Sequence, residues 1–377
     1  MILTVTLNTA LDLTYGVPEL VPHASHRVSD ISERPGGKGL NVARVLAALG
    51  HETVVTGFAG GSTGAVLREL LADLPTRDAR SQDARSSDTR SRGAGANGPE
   101  ADTTRPGPRP ETAVVPGGED DRAIPTGSAP APHASPAPRT APAPIIDALV
   151  TVAGNTRRTI AVVDRTTGDT TQLNEPGPLI SADEWSAFLD RYEELLAEVD
   201  AVALCGSLPP GIHVGAYAEL IRPARAAGVP VLLDTSGEPL RRGIAARPDL
   251  IKPNADELAQ LTGSRDPLRA TRDARRRGAH GVVASLGPDG MLAVTPDGVW
   301  QASPPDRVRG NPTGAGDSAV AGLLSGLVEG LGWPDRLRRA VALSTATVLS
   351  PTAGDFDRAA YEELLPGVGV EEHPRVA

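Results

Sequence analysis

The run Gly310-Asn311-Pro312-Thr313-Gly314-Ala315-Gly316-Asp317-Ser318 delivers a glycine-rich turn and a carboxylate into the start of an apolar helical repeat. Small residues let backbone N–H groups approach an anion closely, and a helix N-terminus favours negative charge. The set reads as a phosphoryl-transfer site, with Gly314, Ala315 and Gly316 supplying N–H groups and Asp317 taking a proton from an attacking hydroxyl. Val320, Leu323, Leu324, Leu327, Val328 and Leu331 follow at helical spacing. Taken alone, the motif also suits a carboxylate that merely stabilises a helix dipole.

A second turn, Pro35-Gly36-Gly37-Lys38-Gly39-Leu40-Asn41, precedes Val42, Val45, Leu46 and Leu49 on one helical face. Its N–H groups and the Lys38 ammonium suit a phosphate or sugar hydroxyls; the other reading is a tight turn with a solvated lysine. The Gly-Lys-Ser/Thr ending of a Walker loop is missing.

Both turns need a scaffold. Candidate strands Ile2–Leu7, Thr53–Gly57, Ala201–Leu204, Val229–Leu233, Leu250–Lys252 and Gly281–Ser285 alternate with candidate helices. The helices are Asn41–Leu49, Gly64–Leu71, Trp185–Ala197, Val214–Ala226 and Ala255–Leu261. This rhythm predicts an α/β fold with a parallel sheet covered on both faces, whose ligands gather beyond the strand C-termini. Residues 13–34 and 157–173 depart from it, with Val and Thr alternation and the turn signal Thr167-Gly168-Asp169. They predict a small antiparallel sheet outside the main fold, serving as a lid, an oligomer contact or both. Residues 75–144, rich first in Arg, Asp and Ser and then in Gly, Pro and Ala, predict a disordered insertion within one domain spanning 1–377.

The net charge of −10 and the 3% aromatic content argue against a nucleic-acid partner. Cys205 is the one cysteine, which excludes an intrachain disulfide and fits a cytoplasmic location. The opening residues have no signal-peptide pattern, and no stretch approaches the roughly 18 apolar residues of a membrane span.

The two glycine turns, their order and their separation resemble the ribokinase-like carbohydrate kinases of the PfkB family. The resemblance covers the chain except the insertion, and is carried further by Thr6-Leu7-Asn8-Thr9-Ala10-Leu11-Asp12, Gly206-Ser207-Leu208-Pro209-Pro210-Gly211, Lys252-Pro253-Asn254-Ala255-Asp256-Glu257 and Ser285-Leu286-Gly287. It implies a doubly wound, mainly parallel sheet with a small β lid, and a kinase that uses ATP and Mg²⁺. The first-strand motif and Gly-Gly-Lys-Gly-Leu-Asn-Val-Ala look most like the 1-phosphofructokinase and tagatose-6-phosphate kinase branch.

The same resemblance implies the site. Asp12, Asn8, Gly37 and Asn41 would meet the sugar, although Asn41 also suits a helix cap. Lys38 and Arg157 would grip the substrate's own phosphate; the period of two sends Arg158 to the opposite face, and which arginine turns inward stays open. Lys252, Asn254, Ser285, Gly287, Gly314 and Gly316 would border the nucleotide, and Glu257 would hold Mg²⁺ through water. Asn254 and Glu257 have the spacing of a capping box as well. Asn311-Pro312-Thr313 stands where 1-phosphofructokinases more often carry Ser-Thr-Val. That Asn-Pro looks closer to the tagatose-6-phosphate branch and departs from the first choice; fructose 1-phosphate nevertheless stays the first expected substrate, followed by tagatose 6-phosphate and fructose 6-phosphate. A homodimer through the lid is expected, with a non-catalytic sugar-phosphate-binding regulator as the rival reading.

Overall fold

In a β-strand, successive side chains face opposite ways, so the order of large and small residues decides which helices each face can receive. The structure, a computed structural model, describes residues 1–28, 30–74, 142–350 and 354–373. The expected 75–144 insertion lies outside the described residues, save for 142–144.

The strands are β1 (Ile2–Thr6), β2 (Ala10–Val17), β3 (Asp30–Gly36), β4 (Thr53–Gly60), β5 (Ile145–Asp147), β6 (Val150–Val152), β7 (Arg157–Asp164), β8 (Thr170–Asn174), β9 (Ala201–Cys205), β10 (Val231–Asp234), β11 (Leu250–Ile251), β12 (Gly281–Ser285), β13 (Met291–Val294), β14 (Val299–Ser303) and β15 (Gly369–His373). The helices are α1 (Lys38–Ala48), α2 (Gly61–Ala72), α3 (Ala182–Leu196), α4 (Ala216–Ala226), α5 (Gly237–Ala245), α6 (Ala255–Thr262), α7 (Pro267–Arg276), α8 (Ala315–Val328), α9 (Trp333–Leu349) and α10 (Arg358–Leu364).

The large sheet runs β15-β14-β13-β12-β11-β10-β9-β1-β4-β5, with β6 also paired to β4. It is parallel from β12 through β5 and antiparallel from β12 to β15. Leu3, Val5, Val202, Leu204, Val231 and Leu233 face α3 to α7, whose Phe188, Tyr192, Tyr217, Leu220, Leu240 and Leu258 complete that core. Ile2, Ala201, Ala203, Cys205 and Leu232 face the other way, toward Val42 and Leu46 of α1, Leu323 of α8 and Val341 of α9. The alanines on this second face leave room for helices to come close. Buried α8 is apolar nearly all round because it packs against both α1 and α9.

The chain leaves β1 for β4 on one side and later fills β9 and β10 on the other, which puts a switch point beside β1. The second sheet, β3-β2-β7-β8, has antiparallel outer pairs, as expected, joined by a parallel β2–β7 pair. Leu11 and Leu13 of β2 bury against Leu70 of α2 and fix this sheet to the main body. Among the described residues, no helix is long and apolar enough to cross a membrane.

Candidate active site

Beyond the C-terminal ends of the parallel strands lies a cleft of about 1150 Å³. Gly37 opens α1 with φ at 109°, and Gly314 opens α8 with φ at 86°, backbone conformations that favour glycine. Neither helix has a side-chain cap, so both N-termini are presented to the cleft as backbone. Asp317 follows in the third position of α8 and is 6% exposed.

Charged groups from several elements surround Asp317. Asp234, at the end of β10, is 1% exposed; its Oδ2 lies 3.2 Å from the Lys38 ammonium and its Oδ1 3.4 Å from that of Lys252. Burial works against ionisation of Asp234, but Lys252 and Lys38 together hold its carboxyl below the usual range. Asp234 in turn raises Lys38 above the ordinary lysine value. Asp317 shifts the other way. Burial pushes it up to about 6, with Lys38 opposing and Asp234 adding to the rise. A buried carboxylate with this pKa is ionised near neutrality and basic enough to accept a proton. Asn41 donates from Nδ2 to Asp317 Oδ2 at 2.8 Å, while Asn41 Oδ1 accepts from Arg44 at 2.7 Å.

On the small sheet, Asp12 and Arg157 face the same cleft, joined there by Thr159, Gln172 and Asn174. Burial raises Asp12, against the pull of Arg44, a Thr159 hydrogen bond and Arg157. Arg157 donates to the Asn8 carbonyl at 3.2 Å, whereas exposed Arg158 is held by Glu175 at 2.7 Å. The inward arginine is therefore Arg157.

On the opposite wall, Asn254 and Glu257 form a complete capping box: Asn254 Oδ1 accepts from the Glu257 N–H at 2.8 Å, and Glu257 accepts from the Asn254 N–H at 2.9 Å. Ser285 pairs with Asn254 as an isolated bridge, and Ser285, Gly287, Val341, Thr345 and Val348 continue the wall. Lys252 Nζ lies 3.4 Å from where a Cβ on Gly316 would sit, so this glycine leaves a cradle between an ammonium and the helix N-terminus. That cradle and the Gly316 and Asp317 N–H groups fit a nucleotide phosphate. Among the described residues, no three His, Cys, Asp or Glu side chains gather into a metal site. A Mg²⁺ ion here would draw mainly on phosphate oxygens and water, with Glu257 as its protein contact, which suits its chemistry.

The sequence-based set thus converges on one cleft, with two corrections. Asn8 is not on the cleft wall; its amide donates inward to Pro176 O at 3.1 Å and to Ser207 Oγ at 3.2 Å. The Ala315 N–H already bonds the Pro312 carbonyl at 3.1 Å, so it does not serve an incoming anion. Lys38, its ammonium against Asp234, and Arg157 line the same cleft. Sequence reasoning missed Asp234 and Arg44. A carboxylate closing the apolar run Val231-Leu232-Leu233 was a usable signal for the first.

The model of the pfkB family of carbohydrate kinases matches residues 5–75 and 145–359. The chain belongs to that family. It is an ATP-dependent sugar kinase. Phosphofructokinase-2 from Escherichia coli, solved with potassium, superposes with a TM-score of 0.73 at 26% identity over 97% of this chain and 98% of that one. The same enzyme with fructose-6-phosphate gives 0.71 at 26% identity over the same shares. A Thermotoga maritima protein named a possible 1-phosphofructokinase gives 0.72 at 24% identity over 99% and 100%, a likeness of fold.

Proposed function

We propose that this pfkB-family kinase is a phosphofructokinase that transfers the γ-phosphoryl group of ATP to a primary hydroxyl of fructose 1-phosphate. The observation that carries this reading is buried Asp317, raised to about 6, at a helix N-terminus in one cleft with Arg157 and Asp12. Asp12 accepts hydrogen bonds from sugar hydroxyls, and Arg157 binds the phosphate already on the sugar, which turns remote binding energy into positioning. Asp317 takes the hydroxyl proton as the new P–O bond forms and the bond to the leaving ADP oxygen breaks. Lys38, Lys252 and the Gly314, Gly316 and Asp317 N–H groups offset negative charge on the transferring group. Bound Mg²⁺ supplies charge neutralisation across the nucleotide phosphates.

Fructose 6-phosphate is the second reading, favoured by the fructose-6-phosphate complex of the Escherichia coli relative at 26% identity. The small sheet acts in this scheme as a lid that excludes water, and exposed Ile31 and Leu173 on β3 and β8 offer apolar surface for a homodimer.

A coupled ADP-release assay over a panel of hexose monophosphates, with fructose and adenosine as uncharged controls, tests the assignment. Fructose 1-phosphate should give the highest kcat/KM, and Asp317→Asn should cut turnover by roughly 10²–10⁴. A preference for an uncharged control would overturn the role of Arg157, and near-normal turnover in the variant would remove Asp317 as the base.

A further inference from the structure

Arg44 lies one turn along α1 from Asn41 and is buried, its side chain 9% exposed. A buried guanidinium is costly unless its N–H groups are used. Arg44 donates to Pro35 O at 3.2 Å and to Asn41 Oδ1 at 2.7 Å, and its Nε lies 3.7 Å from Asp355. Asp355 is itself paired with Arg34 on β3. Gly354 closes the pocket from above: its φ is 77°, and a Cβ there would collide with both the Arg44 guanidinium and the Asn41 amide.

The hydrogen-bond chemistry leaves one arrangement. A guanidinium only donates, so the atom of Asn41 that meets Arg44 must be the carbonyl oxygen, and the amide NH₂ must point the other way. That NH₂ meets Asp317 Oδ2. An Asn41 free to flip would set its oxygen against the carboxylate and repel it. With Oδ2 occupied, Oδ1 is the atom left to face an incoming hydroxyl.

We propose that Arg44 and Asn41 act together as a positioning pair, Arg44 locking the Asn41 amide so that Asn41 fixes the rotamer and the proton-accepting oxygen of Asp317. The proposal rests on Asp317 being the base, and gives Asn41 a task other than contacting the sugar. The charged groups around Asp317 are Lys38 and Arg44 from α1, Asp234 from β10 and Lys252 beyond β11; those around Arg44 are Asp355, Arg34, Asp12 and Asp317. Arg44 adds positive charge, and the Asn41 hydrogen bond favours the ionised base.

The test is the pH profile of kcat/KM for Asn41→Leu and Arg44→Met, alongside Asp317→Asn, in the full chain. Both positioning variants should move the acidic limb upward by roughly half a unit to one unit, as expected for the loss of a hydrogen bond and a nearby cation. Turnover at pH 7 should fall about tenfold as more of the base is protonated and misaligned. KM for the sugar phosphate should stay within about twofold of the parent, since no substrate contact is lost. A raised sugar KM with the acidic limb in place would make Asn41 a sugar contact and overturn the proposal, as would an unchanged profile in Asn41→Leu. If Arg44→Met fails to fold because it strands Asp355, Asn41→Leu decides, since it keeps Arg44 against Asp355 and Pro35. Asp317→Asn separates the two layers. Near-normal turnover there removes the base, whereas an inactive Asp317→Asn beside an unmoved Asn41→Leu profile removes only the positioning pair.

Discussion

Asp317 carries a cost that can be read in stability as well as in rate. Its folded pKa of about 6 exceeds the ordinary carboxylate value of 3.8, so between those limits the folded chain holds a proton that the unfolded chain has released. Stability from this group is therefore greatest below about pH 4, falls as pH rises through 6, and stays reduced above it; a two-unit shift corresponds to about 3 kcal/mol. Asp317→Asn, neutral at every pH, should melt several degrees above the parent at pH 8, with the gap closing toward pH 4. An equal gap at both pH values in thermal melts would contradict the buried, raised carboxyl. Of the residues around this group, Lys38, Asn41 and Lys252 were legible because they sit in short polar motifs between apolar runs. Arg44 was not legible. Within Val42-Ala43-Arg44-Val45 it looks like the solvated edge of an amphipathic helix, and the residue that balances it, Asp355, lies more than three hundred positions away.

At the scale of elements, strand interiors were easy to find and helix starts were not. Gly281–Ser285 was placed to the residue, while α1, α2 and α3 each begin three residues before the apolar repeat that announced them. First-turn residues such as Ala182, Asp183 and Glu184 carry no apolar stripe, and only the Ser181 capping box marks the true boundary. Helix α7 escaped prediction because its buried stripe is only Ala270, Thr271 and Ala274 among arginines. The antiparallel β13–β15 edge was likewise unpredicted, since its short strands lack the intervening helices that revealed the rest. The capping box at α6 joins an observed capping role to the Mg²⁺ contact proposed for Glu257, and substitution can part the two. Glu257→Gln keeps an acceptor for the Asn254 N–H and should leave the melting temperature close to the parent's, yet raise the Mg²⁺ concentration for half-maximal turnover several-fold. Glu257→Ala should also lose about 0.5–2 kcal/mol of stability. Parental Mg²⁺ dependence in the glutamine variant would restrict Glu257 to its capping role.

Across the whole molecule, the cleft draws its floor from strands that lie side by side but come from distant parts of the chain. The α/β architecture followed from alternating apolar strands and helices, whereas the joining of Asn41 to Asp317 depends on α1 and α8 packing across the same face of the sheet. Cys205 ends β9 at that floor and is 0% exposed, and burial pushes its thiol well above the ordinary value, with Asp234 and Asp317 adding to the shift. A lone sulfhydryl so placed is a natural gauge of occupancy. Alkylating reagents should modify the native protein only as fast as the sheet centre opens, and a nucleotide or sugar phosphate that binds the closed form should slow the reaction by about 1 + [L]/Kd. Prompt stoichiometric alkylation of the folded chain would contradict the burial. Ligand affinities thus become measurable by mass shift without any turnover, including in variants whose catalysis has been abolished.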